Sequence, residues 1–117
     1  MTAPVVHFEI ISKHSHPGFY ESVFGWQADR NNPAGYGTIS AEQTGISGGM
    51  GAPYESEEMP YATVYVAVPD INEALEAAQQ AGGSIALSKR EFFPGGPTIA
   101  QLADPDGVRI GLLERPA

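Results

Sequence analysis

The chain has 117 residues, 42% of them hydrophobic, and six basic against fourteen acidic residues give a formal net charge of −8. That length sets one compact domain, or two small halves sharing a core. The acidic field, with Lys89-Arg90 as its only adjacent basic pair, argues against nucleic acid or anionic lipid as a partner.

Cysteine is absent, which removes disulfides, thiolate metal sites and cysteine nucleophiles. No apolar run approaches membrane-spanning length, and no basic-then-apolar leader opens the chain, so a cytoplasmic protein is expected.

The first strand is expected from Pro4 to Ile10. Alternation puts Val5, His7 and Glu9 on one face and Val6, Phe8 and Ile10 on the other. A polar pair facing away from an apolar row fits a concave binding surface, and equally a half-buried strand with a wet face. His14 and His16 follow in a polar turn that gives them no fixed geometry, so they read as solvent-exposed. Pro17 opens a short helix over Gly18 to Phe24, expected to bury Phe19, Tyr20, Val23 and Phe24, with Gly25 as its stop. Trp26 to Arg30, Gly35 to Glu42 and Gly45 to Met50 read as three more strands. The glycine-rich run Gly45 to Gly51 has no Lys-Ser/Thr ending and is no phosphate loop; close backbone packing or a flexible lip explains it better.

After an acidic, mobile-looking link over Pro53 to Met59 the pattern restarts. Tyr61 to Val68 alternates strongly, with Thr63, Tyr65 and Ala67 on one face. Asp70 and Glu73 form a capping box for a helix from Ile71 to Ala81, which Gly82-Gly83 ends. Strands are expected at Ser84 to Ser88, Thr98 to Ala103 and Val108 to Leu113, the last two joined by the turn Asp104-Pro105-Asp106-Gly107. Phe92 to Pro97 reads as a Pro/Gly loop carrying two exposed or lip-forming aromatics.

Both halves thus read as strand, helix, then several strands. The expected fold is α+β, with two tandem βαβββ modules (1–52 and 60–117) forming a curved mixed-sheet cup within a single domain, helices outside. A ferredoxin-like α+β domain is the alternative. In the last strand Arg109, Gly111 and Leu113 share a face. That places Arg109 near the cup, where it could orient an anionic or carbonyl ligand or form a rim salt bridge with Glu9 or Glu114.

The stretches VVHFEI (5–10), FYESVFGW (19–26), VYVAVPDINEALEAAQQAGG (64–83) and LADPDGVRIGLLE (102–114) together resemble the vicinal oxygen chelate superfamily, the glyoxalase/bleomycin-resistance/extradiol-dioxygenase group, and within it the bacterial glyoxalase-like proteins. The resemblance implies the cup described above. In metal-dependent relatives it also implies an ion held by four side chains. The family's first-strand histidine falls on His7 and its second-half histidine on Thr63. Its final-strand glutamate falls on Gly111, with the preceding Asn position at Val108, and its fourth ligand falls near Gly48-Gly49-Met50. One ligand of four remains, so neither a catalytic metal nor another cofactor is expected.

The resulting expectation is a protein that binds a small, partly apolar organic ligand in the cup through Thr63, Tyr65, Arg109, Gly111 and Met50. His7 and Glu9 are the candidate catalytic residues. The alternative is a lyase, isomerase or hydroxylase-like enzyme using His7 as acid or base, or as part of an unconventional metal site. Open sheet edges and apolar positions such as Ile39 and Ile46 favour a homodimer.

Overall fold

The computed structural model describes residues 2–55 and 59–116. Part of the expected acidic link, residues 56–58, lies outside them. The chain forms two compact units, His7–Thr63 and the combination of Met1–Val6 with Val64–Ala117.

In the first unit the strands are β1 (Val5–Ile11), β2 (Gly37–Ile39) and β3 (Ser47–Gly51), in the order β2-β3-β1. β1 starts in the second unit and runs into this one. β3 pairs parallel with β1 and antiparallel with β2, so the sheet is mixed. The helices are α1 (Pro17–Phe24) and α2 (Ala41–Thr44). Two expected strands are changed. Trp26 to Arg30 keeps only an isolated bridge, Asp29 to Thr38, and Gly35 to Glu42 divides into β2 and α2. Side chains have taken over the backbone groups there. Gln43 Oε1 accepts from the Gln27 amide and Gln43 Nε2 donates to the Gln27 carbonyl, standing in for a neighbouring strand. Asp29 accepts from Asn31 N and Asn32 Oδ1 from Tyr36 N, closing local turns.

The expectation that α1 buries its aromatics also fails. Phe19, Val23 and Phe24 remain 59%, 55% and 59% exposed. Two helical turns are too few to carry them under the sheet. The rings pack on one another instead: Tyr20 stacks on Trp26 at 5.9 Å, and Trp26 meets Phe24 at 4.9 Å and Phe8 at 5.4 Å.

The second unit carries a strand-helix-three-strand module: β4 (Tyr61–Val68, which enters this unit at Val64), α3 (Ile71–Gln80), β5 (Ser84–Glu91), β6 (Thr98–Ala103) and β7 (Arg109–Glu114). Their order is β4-β7-β6-β5, with β4 and β7 parallel and the other pairs antiparallel. The Asp70 carboxylate accepts from Glu73 N at 3.2 Å, the expected cap, and Glu114 Oε2 accepts from Ile71 N at 2.9 Å. The helical spacing of Ile71 and Leu75 presses both onto Ala100 and Leu112, forming the core. Burial of each large aliphatic side chain contributes about 1.5–3 kcal/mol. Asp104 Oδ1 receives the amides of Asp106 and Val108, and Gly107 takes the left-handed φ of 89° that closes the predicted turn. Among the described residues no helix is long and apolar enough to cross a membrane.

Candidate functional site

Register places the first unit's polar groups. His7 is level with Ser47, Glu9 with Gly49 and Ile11 with Gly51, all on one face. Across that face lies Tyr36, only 7% exposed, over glycines whose missing side chains make room for it. A Cβ on Gly49 would collide with its ring, and one on Gly51 would come within 2.9 Å.

A continuous hydrogen-bonded chain results. Tyr36 Oη donates to Glu9 Oε2 at 2.8 Å, and Tyr54 Oη donates to the same oxygen at 2.8 Å. Glu9 is 2% exposed, and these two phenols help hold it in the interior. Tyr36 has one proton and gives it to Glu9, so its 3.0 Å contact with His7 must run from the imidazole Nε2–H to the phenol oxygen. Nδ1 is then the bare nitrogen, accepting from Ser47 Oγ–H at 2.8 Å. Burial lowers the His7 pKa below its ordinary 6.5, so the neutral ring prevails near pH 7.

His7 and Ser47 border a surface depression of about 720 Å³, continued by Gln27, Ala28, Asp29, Thr38, Ile39, Ser40, Gln43 and Gly48. Among the described residues of this lining Asp29 is the only one of fixed charge, with no lysine or arginine.

The sequence-expected residues divide between the units. His7 and Glu9 are brought together through Tyr36. Met50 is level with Ile10, on the opposite face from His7, and 1% exposed. Thr63 ends the first unit, buried at 8% exposure. In the second unit Tyr65, Gly111 and Gln101 are level across three strands. The Tyr65 ring covers Gly111, where a Cβ would lie 2.6 Å from it, and Tyr65 Oη accepts from the fully buried Gln101 at 2.9 Å. Arg109 begins β7 level with Ala103, half-buried on the Gly111 face. Glu114 pairs instead with Lys89 at 3.6 Å. His14 and His16 are exposed, as expected, with rings 5.9 Å apart. Phe92 and Phe93 are half-buried, the latter over Gly96. Sequence reasoning missed Tyr36, Ser47 and Tyr54. The available signal for Tyr36 was the Gly48-Gly49-Met50-Gly51 run, since glycines inside a strand mark a close approach from above.

The divalent ion of metal-dependent relatives does not fit these residues. It needs about three nitrogen or oxygen donors converging at about 2 Å. Here Tyr36 Oη fills the space between His7 Nε2 and Glu9 Oε2, and Gly111 offers no donor and is roofed by Tyr65. Among the described residues no three of His, Cys, Asp or Glu gather in a metal-holding group.

Solved structures share the fold. Methylmalonyl-CoA epimerase from Mycobacterium tuberculosis is similar at 17% identity and TM-score 0.60, over 97% of this chain and 87% of that one. A glyoxalase/bleomycin resistance protein/dioxygenase superfamily member from Vibrio splendidus 12B01 is similar at 17% identity and TM-score 0.59, over 97% and 100%. A hypothetical protein from Bacillus halodurans C-125 is similar at 14% identity and TM-score 0.65, over 100% and 97%. At such identities the likeness carries the fold alone. No curated protein matches at the sequence level. Residues 18–112 match the Glyoxalase/Bleomycin resistance protein/Dioxygenase superfamily, and with most of its length inside that match the chain belongs to this superfamily.

Proposed function

We propose that the protein binds a small organic molecule in the depression beside His7 and Ser47, without a catalytic metal on His7. The carrying observation is that both imidazole nitrogens are engaged, Nε2 by Tyr36 and Nδ1 by Ser47. The ring is a fixed hydrogen-bonding wall of the site. The lining supports a ligand that is partly apolar, meeting Ala28, and rich in hydrogen-bonding groups, meeting Gln27, Thr38 and Ser40. With Asp29 as the fixed charge among the described lining residues, an uncharged or cationic ligand is favoured over an anion.

The test combines elemental analysis of protein purified without added metal with an NMR titration of a library of neutral and cationic fragments. The expected result is substoichiometric metal, with fragment-induced shifts centred on the amides of Gln27, Thr38, Ser47 and Gly48. Stoichiometric zinc, nickel or iron whose removal perturbs the His7 ring resonances contradicts the reading, as does fragment binding confined to other surfaces.

A further inference from the structure

We propose that Ser47 is a nucleophile activated by His7, and that the depression they border transfers the acyl group of small uncharged or cationic esters to water. This goes beyond binding but rests on the depression being the ligand site.

The geometry has the parts such chemistry requires: a hydroxyl, a base in hydrogen-bond reach of it, and a third group that orients the base. Ser47 Oγ is 2.8 Å from His7 Nδ1. The parallel pairing of β1 with β3 sets the two residues side by side on rigid strands, and both face the depression. The tautomer is the one a base needs. Nε2 keeps its proton because it faces a phenol oxygen whose own proton is committed to Glu9, so the lone pair of Nδ1 points at the serine. Tyr36 is a positioning residue here, with Glu9 anchoring it from behind. A serine, a histidine and a buried acid joined through a tyrosine hydroxyl follow the logic of a Ser-His-acid triad with one link added. Burial keeps His7 neutral near pH 7, the state in which it can take a proton. Gln27, whose carboxamide has no hydrogen-bond partner among the described residues, lines the same depression and offers N–H donors for a developing oxyanion.

The step balances without an added oxidant or reductant. Ser47 Oγ bonds to the ester carbonyl carbon while its proton passes to His7 Nδ1. The C–O bond to the leaving alcohol breaks and that proton leaves with the alcohol. Water then attacks the acyl-serine, giving its proton to Nδ1, and collapse releases the acid and returns the proton to Ser47.

The experiment treats the full chain with diisopropyl fluorophosphate and maps the adduct by peptide mass spectrometry. Release of p-nitrophenol from p-nitrophenyl acetate is followed in parallel. The expected result is a single adduct on Ser47 and a burst of about one nitrophenol per chain. Ser47→Ala should lose both, and His7→Gln should slow labelling by about 100-fold or more. Labelling of the native chain should rise with pH as His7 loses its proton. Tyr36→Phe removes the acceptor that steadies the imidazolium, so it should move that rise to lower pH. No adduct on Ser47, an adduct whose rate ignores His7→Gln in a folded variant, or a pH profile unmoved by Tyr36→Phe overturns the proposal. Fragments that still bind the depression of an unlabelled protein overturn the nucleophile and leave the binding site standing.

Discussion

Replacing Gly49 with alanine adds one methyl group where the Tyr36 ring already lies. Gly49 sits between two paired neighbours, Glu9 on β1 and Thr38 on β2, so its backbone has little freedom to retreat. The ring must move instead, and its hydroxyl leaves both Glu9 Oε2 and His7 Nε2. Overpacking in a filled site costs about 1–3 kcal/mol, and losing a hydrogen bond to a charged group about 1.5–3 kcal/mol. Together these predict a destabilisation of about 3–5 kcal/mol, a large part of the roughly 5–15 kcal/mol that holds a domain folded. Urea denaturation followed by circular dichroism measures it. With a slope of about 2 kcal/mol per molar the midpoint should fall by about 2 M. Tyr36→Phe, which removes the hydroxyl and leaves the ring, should cost about 1.5–3 kcal/mol. In a Tyr36→Ala background the added methyl finds room, so Gly49→Ala should then cost less than about 1 kcal/mol. A single variant within about 0.5 kcal/mol of the native protein, or an equal cost in both backgrounds, refutes the account of why β3 is rich in glycine.

His7 supplies a pH prediction. Its folded pKa lies below 6.5, so between those two values the unfolded chain binds the extra proton. The stability linked to His7 is full above about pH 6.5 and falls as pH drops towards and through the folded value. Urea midpoints from pH 7.5 to 5.0 should decline, and His7→Gln should flatten that part of the curve. An equal slope in both proteins would show that other groups cause it. At the second unit's helix, Asp70→Ala should cost about 1 kcal/mol by orphaning the Glu73 amide, and Asp70→Asn much less. Equal melting curves for the two variants would reject the cap.

The second unit was legible in sequence because each local signal agreed with the tertiary result. The alternation of Tyr65 and Ala67 against Val64, Val66 and Val68, the Asp70 cap and the Asp104–Gly107 turn all point the same way. The first unit was less legible where side chains replaced backbone ladders. Nothing in the local pattern at Gln27 reveals that Gln43, sixteen positions on, will occupy its amide and carbonyl. The α1 aromatics misled because helical spacing marks a face as apolar without saying that a sheet will cover it. At the site, strand alternation placed His7 with Glu9 but not what bridges them. Tyr36 comes from a loop after Pro33 and Gly35, so its approach is a long-range fact. Met50 drew attention by its neighbours, yet one step of strand register separates it from Gly49 and turns it to the other face.

The N-terminal strand has a history in time as well as a position. Its carbonyl at Pro4 accepts from Ala67 N, and Val5 and Val6 cluster with residues from Val64 onward, while His7 begins the other unit. The span His7–Thr63 is continuous and can gather its contacts early. The residues just before it must wait for a partner more than half the sequence away. Each doubling of a closing loop adds only about 0.6 kcal/mol of chain entropy, so the toll on stability is small. Its effect falls on rate, since distant pairings form last and slow the approach to the native state. A ribosome releasing this chain would therefore expose the start of β1 unpaired until β4 had emerged. That interval is when the strand is open to pairing with the wrong neighbour.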